Sequence, residues 1–487
     1  MFWQHQASLV LLMNWIAGWD RQQVHLLPPR VEDYVEPDNP VRFLDAFVDS
    51  LDLRAKGFAF PKENPQGKGR PAYPPGELLK LYLYGYLHRV RSSRGLEAEC
   101  RRNLEVMWLV RGLAPDFKTI ADFRKDNAAA FKAVNREFTR LCQELDLFGG
   151  QLLAIDGTKI KAQNARDKNW SQAKLEKQLE VAQAKLEEYL QALDQADGQE
   201  NAVPAPVSGL SEKIARWRER EQKTRQRLEV LQQTGASQLS ATDSDSRGMK
   251  GNYGHLVGYN VQGAVDAKHH LLVVAEETNQ AVDQGQLASV AQAAKEELGV
   301  ERADIVADGG YFKNQDIQRC QQMGMEPHVP EALPPGKFYS KAAFAYEAAS
   351  NTYRCPAGAL LSFRRQVQDK GTIRFNYDNP AACAACPLRA RCTKSEYRVV
   401  SRWEHEECIE RMKEKMAQAP EKLSQRKLLI EHCWASLKWL LAGGFLVKGL
   451  PKVGAELSLA HFAYNFKRAL AVVGLKQLMA ACRAALC

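Results

Sequence analysis

One pattern constrains this chain more than any other, and it occurs twice: an apolar run that ends on an aspartate followed by glycine. Gln151–Ile155 leads into Asp156-Gly157-Thr158, and Ala303–Ala307 leads into Asp308-Gly309-Gly310-Tyr311. Each run has the length and composition of a buried strand, so each delivers a carboxylate to the open end of a sheet. Asp156-Gly157 reads as a turn, after which Lys159-Ile160-Lys161 returns as strand. A lone Asp-Gly is ordinarily a hairpin turn and nothing more; its repetition, with a third acid downstream, points to chemistry. That acid lies in Arg426–Lys438, where apolar residues fall at helical spacing and Glu431 and Lys438 stand about two turns apart on one face. Two strand-end aspartates and one helix glutamate suit two Mg²⁺ ions, with Mn²⁺ as a substitute, for phosphodiester chemistry, because hard cations take oxygen ligands. Asp156, Asp308 and Glu431 are the candidate catalytic and metal-binding residues, and Glu456, on the next helix, is the fallback acid.

The segments between these acids follow one order. Gly258–Asp266 alternates as a strand, Leu271–Glu276 returns across Lys268-His269-His270, Gln286–Leu298 has helical spacing, and Asp304–Ala307 is the next strand. Strand, hairpin strands, helix, strand, then a late helix carrying glutamate is the order of an α/β, RNase H-like catalytic core. The segments divide into an N-terminal arm and helix (1–70), a helical domain (71–148), the first catalytic strand (149–164), an inserted hairpin (165–245), the RNase H-like core (246–330), a Cys-rich insert (331–402) and C-terminal helices carrying the catalytic glutamate (403–487).

Hydrophobic residues make up 45% of the 487, which supports a folded core, and the net charge of +9 favours a polyanionic partner. Short helices are expected over Val41–Leu53, Glu77–Val90, from Ser93 as cap through Cys100, over Leu104–Val110, and from a capping box at Thr119-x-x-Asp122. Arginines stud this region, and an all-helical DNA-binding domain of helix-turn-helix type follows, with Arg91, Arg94, Arg101 and Arg102 as its DNA contacts.

Leu175, Leu179, Ala182, Leu186, Leu190 and Leu193 repeat at steps of four and three, and Leu210, Ile214, Trp217, Leu228 and Leu231 continue on a second segment, so the insert is a coiled-coil hairpin. Ser8–Trp19 is apolar but too short to span a bilayer, and nothing about it suits a signal peptide. A cytoplasmic, membrane-free location is expected, in which the eleven cysteines are thiols or metal ligands. Cys355-Pro356-Ala357-Gly358, Cys383-x-x-Cys386 and Cys392 supply four thiolates for a structural Zn²⁺ in a zinc-ribbon-like module, with Cys408 as a substitute for Cys392. Apolar content between Gly358 and Arg398 is low, so metal is expected to carry the folding of this insert.

At these residues the chain resembles bacterial insertion-sequence transposases of the DDE class, over nearly its whole length. Gly18-x-Asp20-Arg21 and Leu27-Pro28-Pro29 resemble the leader, with Met13 as an alternative start. Gly69-Arg70-Pro71-x-Tyr73-Pro74-Pro75 through Arg124 resembles the N-terminal transposase domain. Asp156-Gly157-Thr158, Gly258-Tyr259-Asn260-Val261-Gln262, Asp308-Gly309-Gly310-Tyr311 and Glu431-His432 resemble the catalytic blocks, and Cys355-Pro and Cys386-Pro-Leu resemble an insert found in a subset of the group. The resemblance implies a DNA transposase that binds the ends of an insertion sequence and performs metal-dependent cleavage and strand transfer. Its partners are then double-stranded DNA, as terminal inverted repeats and target, and a second copy of the chain in the synaptic complex. Lys438 and Arg426 are implied as DNA contacts. The family signature is tyrosine, arginine, glutamate and lysine on the last helix; here Ser424 and Lys427 stand at the first two positions, with Arg426 one residue earlier, and His432-Cys433-Trp434 departs from His-Pro-Phe. The competing readings are an RNase H-like nuclease that only hydrolyses, and a catalytically dead DNA-binding regulator.

Overall fold

The N-terminal half is helical because its apolar residues recur at helical spacing between strong caps. The elements are α1 (Val41–Asp49), α2 (Pro75–Leu87), α3 (Ser93–Arg102), α4 (Leu104–Leu109), α5 (Phe117–Asp126) and α6 (Ala128–Glu144). Helix α2 starts on a proline at its first position, where the missing N–H costs no hydrogen bond, and most of its residues are buried. The cap of α3 is Ser92, one residue ahead of the expected Ser93, and its hydroxyl accepts from the Gly95 N–H at 3.1 Å. Helix α5 starts ahead of Thr119 because Asp116 captures the first turn: its carboxylate accepts from the Lys118 and Thr119 N–H groups at 3.0 Å and from the Thr119 hydroxyl at 2.8 Å. A carboxylate caps and also complements the helix dipole, which a threonine hydroxyl does not.

This computed structural model describes residues 22, 30–60, 71–197, 209–251, 254–331, 336, 338–369 and 371–484. The leader motifs, Met13 and Gly69-Arg70 lie outside the described residues.

Strand β1 (Leu152–Lys161) runs straight through Asp156-Gly157, so the expected turn is absent. Asp156 pairs with Gly263 and Gly157 with Gln262. Gly157 is small here because of packing: an added Cβ would lie 2.3 Å from Gln262 Nε2 and 2.6 Å from Asp283 Oδ1. The inserted hairpin follows as β2 (Asn169–Ser171), α7 (Gln172–Asp197), α8 (Leu210–Thr234) and β3 (Gln238–Ser240), with β2 and β3 paired at its base. Leu175, Ala182 and Leu186 bury against a partner helix carrying buried Ile214 and Leu231. The expected seam thins outward, where Leu190 is 37% exposed.

The sheet is completed by β4 (Arg247–Gly251), β5 (Gly254–Asp266), β6 (Leu272–Thr278), β7 (Ala303–Val306) and β8 (Met325–His328), with α9 (Leu287–Leu298) between β6 and β7 and α10 (Asn314–Gln322) between β7 and β8. Strand β1 lies between antiparallel β5 and parallel β7; β4 and β6 pair antiparallel with β5, and β8 lies parallel outside β7. Parallel neighbours need a crossover, which α9 and α10 provide.

The Cys-bearing segment is an antiparallel sheet of β9 (Ala345–Glu347), β10 (Thr352–Arg354), β11 (Leu360–Asp369), β12 (Thr372–Asp378) and β13 (Val399–Trp403), with short α11 (Pro380–Ala384) and α12 (Arg389–Cys392) between β12 and β13. Contrary to expectation it has an apolar core of its own, in which Phe344, Tyr353, Leu361, Tyr377 and Val400 are buried. Aromatic rings supply what aliphatic residues do not: Tyr353 and Tyr377 pack edge to face at 5.1 Å.

The chain ends in α13 (Glu406–Gln418), α14 (Pro420–Leu440) and α15 (Leu450–Ala484, interrupted at Gly474). Helix α15 is the joint of the molecule. Phe462 and Phe466 meet Phe43, Phe47 and Phe138 in one aromatic cluster, with Phe43 stacked on Phe466 at 4.8 Å. The helices of 41–144 therefore share a continuous core with the six-stranded sheet. The joint also corrects two expectations. Arg91 does not face DNA: it is 7% exposed, and its Nη1 donates to Glu456 Oε1 and the Gly444 carbonyl, both at 2.9 Å. Glu456 is fully buried and also accepts from the Leu446 N–H at 2.8 Å, so as a fallback acid it is already committed. Glu456→Ala should lower stability by about 3–5 kcal/mol, because it strands a buried guanidinium, and should show as a lower denaturation midpoint. An unchanged midpoint would mean that the pair does not hold α15 to the α2–α3 connection.

Candidate active site

The two aspartates are brought level by strand register. Ala154 pairs with Val306 across parallel β1 and β7, and Asp156 and Asp308 each lie two residues further on. Asp308 caps a short 3-10 turn over Gly309–Tyr311, its Oδ1 accepting from the Gly310 N–H at 2.8 Å. Asp156 Oδ1 accepts from the Gly157 N–H at 2.8 Å, and Oδ2 accepts from Arg426 Nη1 at 3.2 Å. Burial pushes the Asp156 carboxyl up to about 6; Arg426 and the Gly157 N–H oppose that, and the negative charges of Asp308 and Asp283 add to it.

Helix α14 crosses this end of the sheet. It buries Ile430, Cys433, Trp434 and Leu437, and the Trp434 ring fills the space over Gly263, the residue paired with Asp156. Glu431 lies beside this buried stripe, exposed and without a hydrogen-bond or ion-pair partner among the described residues. Lys438, on the same flank, is half-buried; burial depresses its ammonium while the Asp156 carboxylate supports it. Arg426 points inward to Asp156 and is 13% exposed, while Lys427 is on the outside. Among the described residues, no three His, Cys, Asp or Glu side chains are gathered tightly enough to hold a metal ion as they stand. Asp156 and Asp308 thus form an electrostatically coupled pair, with the Arg426 guanidinium lying where positive charge is called for.

Asp283 was missed in the sequence, since it sits in a polar loop with no periodicity to place it. Its Oδ1 accepts from Lys159 Nζ at 2.6 Å, Gln262 Nε2 at 2.7 Å and Asn260 Nδ2 at 2.8 Å. The Tyr311 hydroxyl, three residues after Asp308, donates to Gln262 Oε1. One network therefore ties the loop after Asp308 to the strand carrying Asp156. The block Gly258-Tyr259-Asn260-Val261-Gln262 was its only trace in the sequence.

The other predicted residues lie elsewhere. Arg94 packs over Phe117 at 5.0 Å, and Arg101 and Arg102 are exposed in pairs with Glu97 and Glu99 at 3.0 and 2.5 Å. Cys355, Cys383, Cys386 and Cys392 line a single cavity of about 40 Å³. Burial raises the Cys392 thiol, opposed by Arg398 and reinforced by the other three sulfurs. Cys408 is buried on α13, where its carbonyl accepts from Gln321 Nε2 at 3.0 Å, and it does not line that cavity, so it is no substitute for Cys392.

Replacing Gly157 by alanine should cost about 1–3 kcal/mol, since the new methyl displaces Gln262 and Asp283. Urea unfolding would show this as a lower midpoint at unchanged slope, and an unaltered midpoint would mean that the network yields freely.

Comparison with known proteins bears on this arrangement. Residues 29–126 match the family described as "Transposase domain (DUF772)", and residues 354–470 match "Transposase DDE domain". No curated protein matches the chain. Among solved structures, a piggyBac transposase synaptic complex with hairpin DNA aligns over 92% of this chain and 79% of that one, at 7% identity and a TM-score of 0.27, a likeness too slight to argue from. The second match spans Glu431 and Lys438, the first spans α1 to α5, and on these two matches the chain is a transposase of the DDE class.

Proposed function

We propose that this transposase moves a bacterial insertion sequence, cutting the element's terminal inverted repeats and joining them to target DNA at Asp156, Asp308 and Glu431. The observation that carries this is the level placement of Asp156 and Asp308 at the ends of adjacent parallel strands, under a helix that carries Glu431. The strand order β6-β5-β1-β7-β8, with the first three antiparallel and the last two parallel to β1, supports reading the core as RNase H-like.

The donor chemistry fits hard divalent ions: two mutually repelling carboxylates, one pushed up to about 6, and an exposed, unpartnered glutamate on the helix that crosses this end of the sheet. Asp156, Asp308 and Glu431 would hold Mg²⁺, with Mn²⁺ as a substitute; when bound, two such ions supply an activated oxygen nucleophile and stabilise the leaving oxygen. The residues of the chain do the rest. Arg426 neutralises part of the Asp156 charge until a cation is loaded. The Asp283 network keeps the two strand ends in register, and Lys438 meets the DNA backbone as a phosphate contact. Arg94, Arg101 and Arg102 on α3 remain available for end recognition, and two copies of the chain would hold two ends together.

Alanine at Asp156, Asp308 or Glu431 should reduce Mg²⁺-dependent cleavage and strand transfer by more than about a thousandfold, the scale of losing a catalytic group, with duplex binding within a few-fold of wild type. The substrate is a duplex bearing inverted repeats found beside the gene. Robust strand transfer by Glu431→Ala would displace the third acid, and cleavage without joining by wild type would favour a plain nuclease.

The four cysteines around one small cavity suit a structural Zn²⁺, since soft thiolates do not compete for a hard catalytic ion. Elemental analysis of reduced protein should give one zinc per chain with Zn–S distances of about 2.3 Å. Cys383→Ser should lose the metal and Cys408→Ser keep it; the reverse result defeats this ligand set.

A further inference from the structure

The positive charge of this chain is not where its arginine-studded helices suggest. Residues 71–148 hold thirteen Lys and Arg against ten Asp and Glu, a net of +3. Residues 354–403 hold ten against three, a net of +7, in a chain whose total is +9. Residues 354–403 are thus the more basic of the two segments, and strand register places two of their arginines, Arg365 and Arg374, on one face.

Arg365 pairs with Asn376 and Val367 with Arg374, while Asn376 pairs with Ser401, so these residues share one face. The opposite face carries Tyr377 and Val400 into the small core. The register of β11 slips between Phe363 and Arg365. Such a bulge adds a residue and re-aims its neighbours, and here Arg364 and Arg365 border the same 330 Å³ hollow, with Arg364 held by Asp378 at 3.0 Å. Arg365 is exposed and has no acidic partner among the described residues.

This face borders a groove that reaches the loops following Asp283 and Asp308. Arg374 and Ser401 form one wall of a groove of about 620 Å³, whose other wall includes Gln284, Phe312 and Lys313. Gln284 follows Asp283, and its Nε2 donates to the carbonyl of Phe312, four residues after Asp308, at 3.1 Å. The groove holds two acids, Glu331 and Glu406, and each is occupied, by Lys413 at 2.6 Å and Lys341 at 2.7 Å.

We propose that the outward face of β11–β13 and the groove beside it form a second DNA-binding surface, which takes the phosphate backbone of a duplex and leads it to Asp156 and Asp308. The occupant is double-stranded DNA, argued from the local charge excess and from continuity with the site; the proposal rests on the transposase reading. Groups such as Arg365 and Arg374 meet phosphates rather than bases, so the surface is sequence-independent and its affinity falls steeply with salt.

The test is duplex binding by the full, zinc-loaded chain across a salt series. Arg365→Ala with Arg374→Ala should lower the log–log slope by about two, close to one per lost phosphate contact, on any duplex sequence. Arg365→Lys with Arg374→Lys should restore the slope, which a merely misfolded sheet would not do. Arg216→Ala with Lys223→Ala removes the same charge from the exposed hairpin and should leave the slope unchanged. If the two alanine pairs behave alike, or the lysine pair fails to restore the slope, the surface is not a DNA track, whatever the standing of the triad. Wild-type chain with no salt-dependent duplex binding would overturn this proposal as well, whereas loss of cleavage in the triad variants alone would leave it intact.

Discussion

The structure turns on keeping two carboxylates together in a largely buried place. Asp156 and Asp308 repel, and burial penalises the Asp156 charge, yet the register of β1 against β7 holds them level. That register is set by apolar burial: Leu153, Ala154 and Ile155 on one strand and Ile305, Val306 and Ala307 on the other are almost fully buried. A slip of one residue would turn these side chains to the wrong face, so the core sets the geometry of the acids. The unfavourable electrostatics is offset locally, by Arg426 from α14 and by N–H donors from Gly157 and Gly310.

The remainder of the chain serves to place α14. Gly263 makes room for Trp434, and α15 anchors the other side of the sheet, with Asn465 Nδ2 donating to the Leu272 carbonyl at 2.8 Å and Asn465 Oδ1 accepting from the Leu272 N–H at 2.9 Å. The buried Arg91–Glu456 pair and the phenylalanine cluster then tie the N-terminal helices to α15. The N-terminal helices are therefore built onto the body that carries Asp156 and Asp308, and α3 shares a continuous core with the sheet. The coiled-coil hairpin and the Cys-bearing sheet are different: each closes on a small core of its own.

Local structure follows local pattern where periodicity and burial coincide. The two apolar runs before Asp156 and Asp308, the hairpin seam from Leu175, and the helix carrying Glu431 are each legible because one local pattern specifies one local structure. Elsewhere a long-range partner overrides the local signal. Asp156-Gly157 has the composition of a turn, but pairing with Gln262 and Gly263 keeps it extended. Arg91 sits in a row of arginines, but its partner is 365 residues away. The Cys-bearing segment looked poor in core residues because its core is aromatic and assembled across strands.

By itself the sequence determined the total charge and most of the helices and strands, and it marked the candidate acids and thiols, because each is a property of residue type and short-range spacing. Only the tertiary structure decided which arginine is buried, that Asp283 joins the network between β1 and the loop after Asp308, and that Arg365 and Arg374 share one face of their sheet. Those facts depend on strand register and on contacts between residues far apart in the chain, and no local pattern carries either.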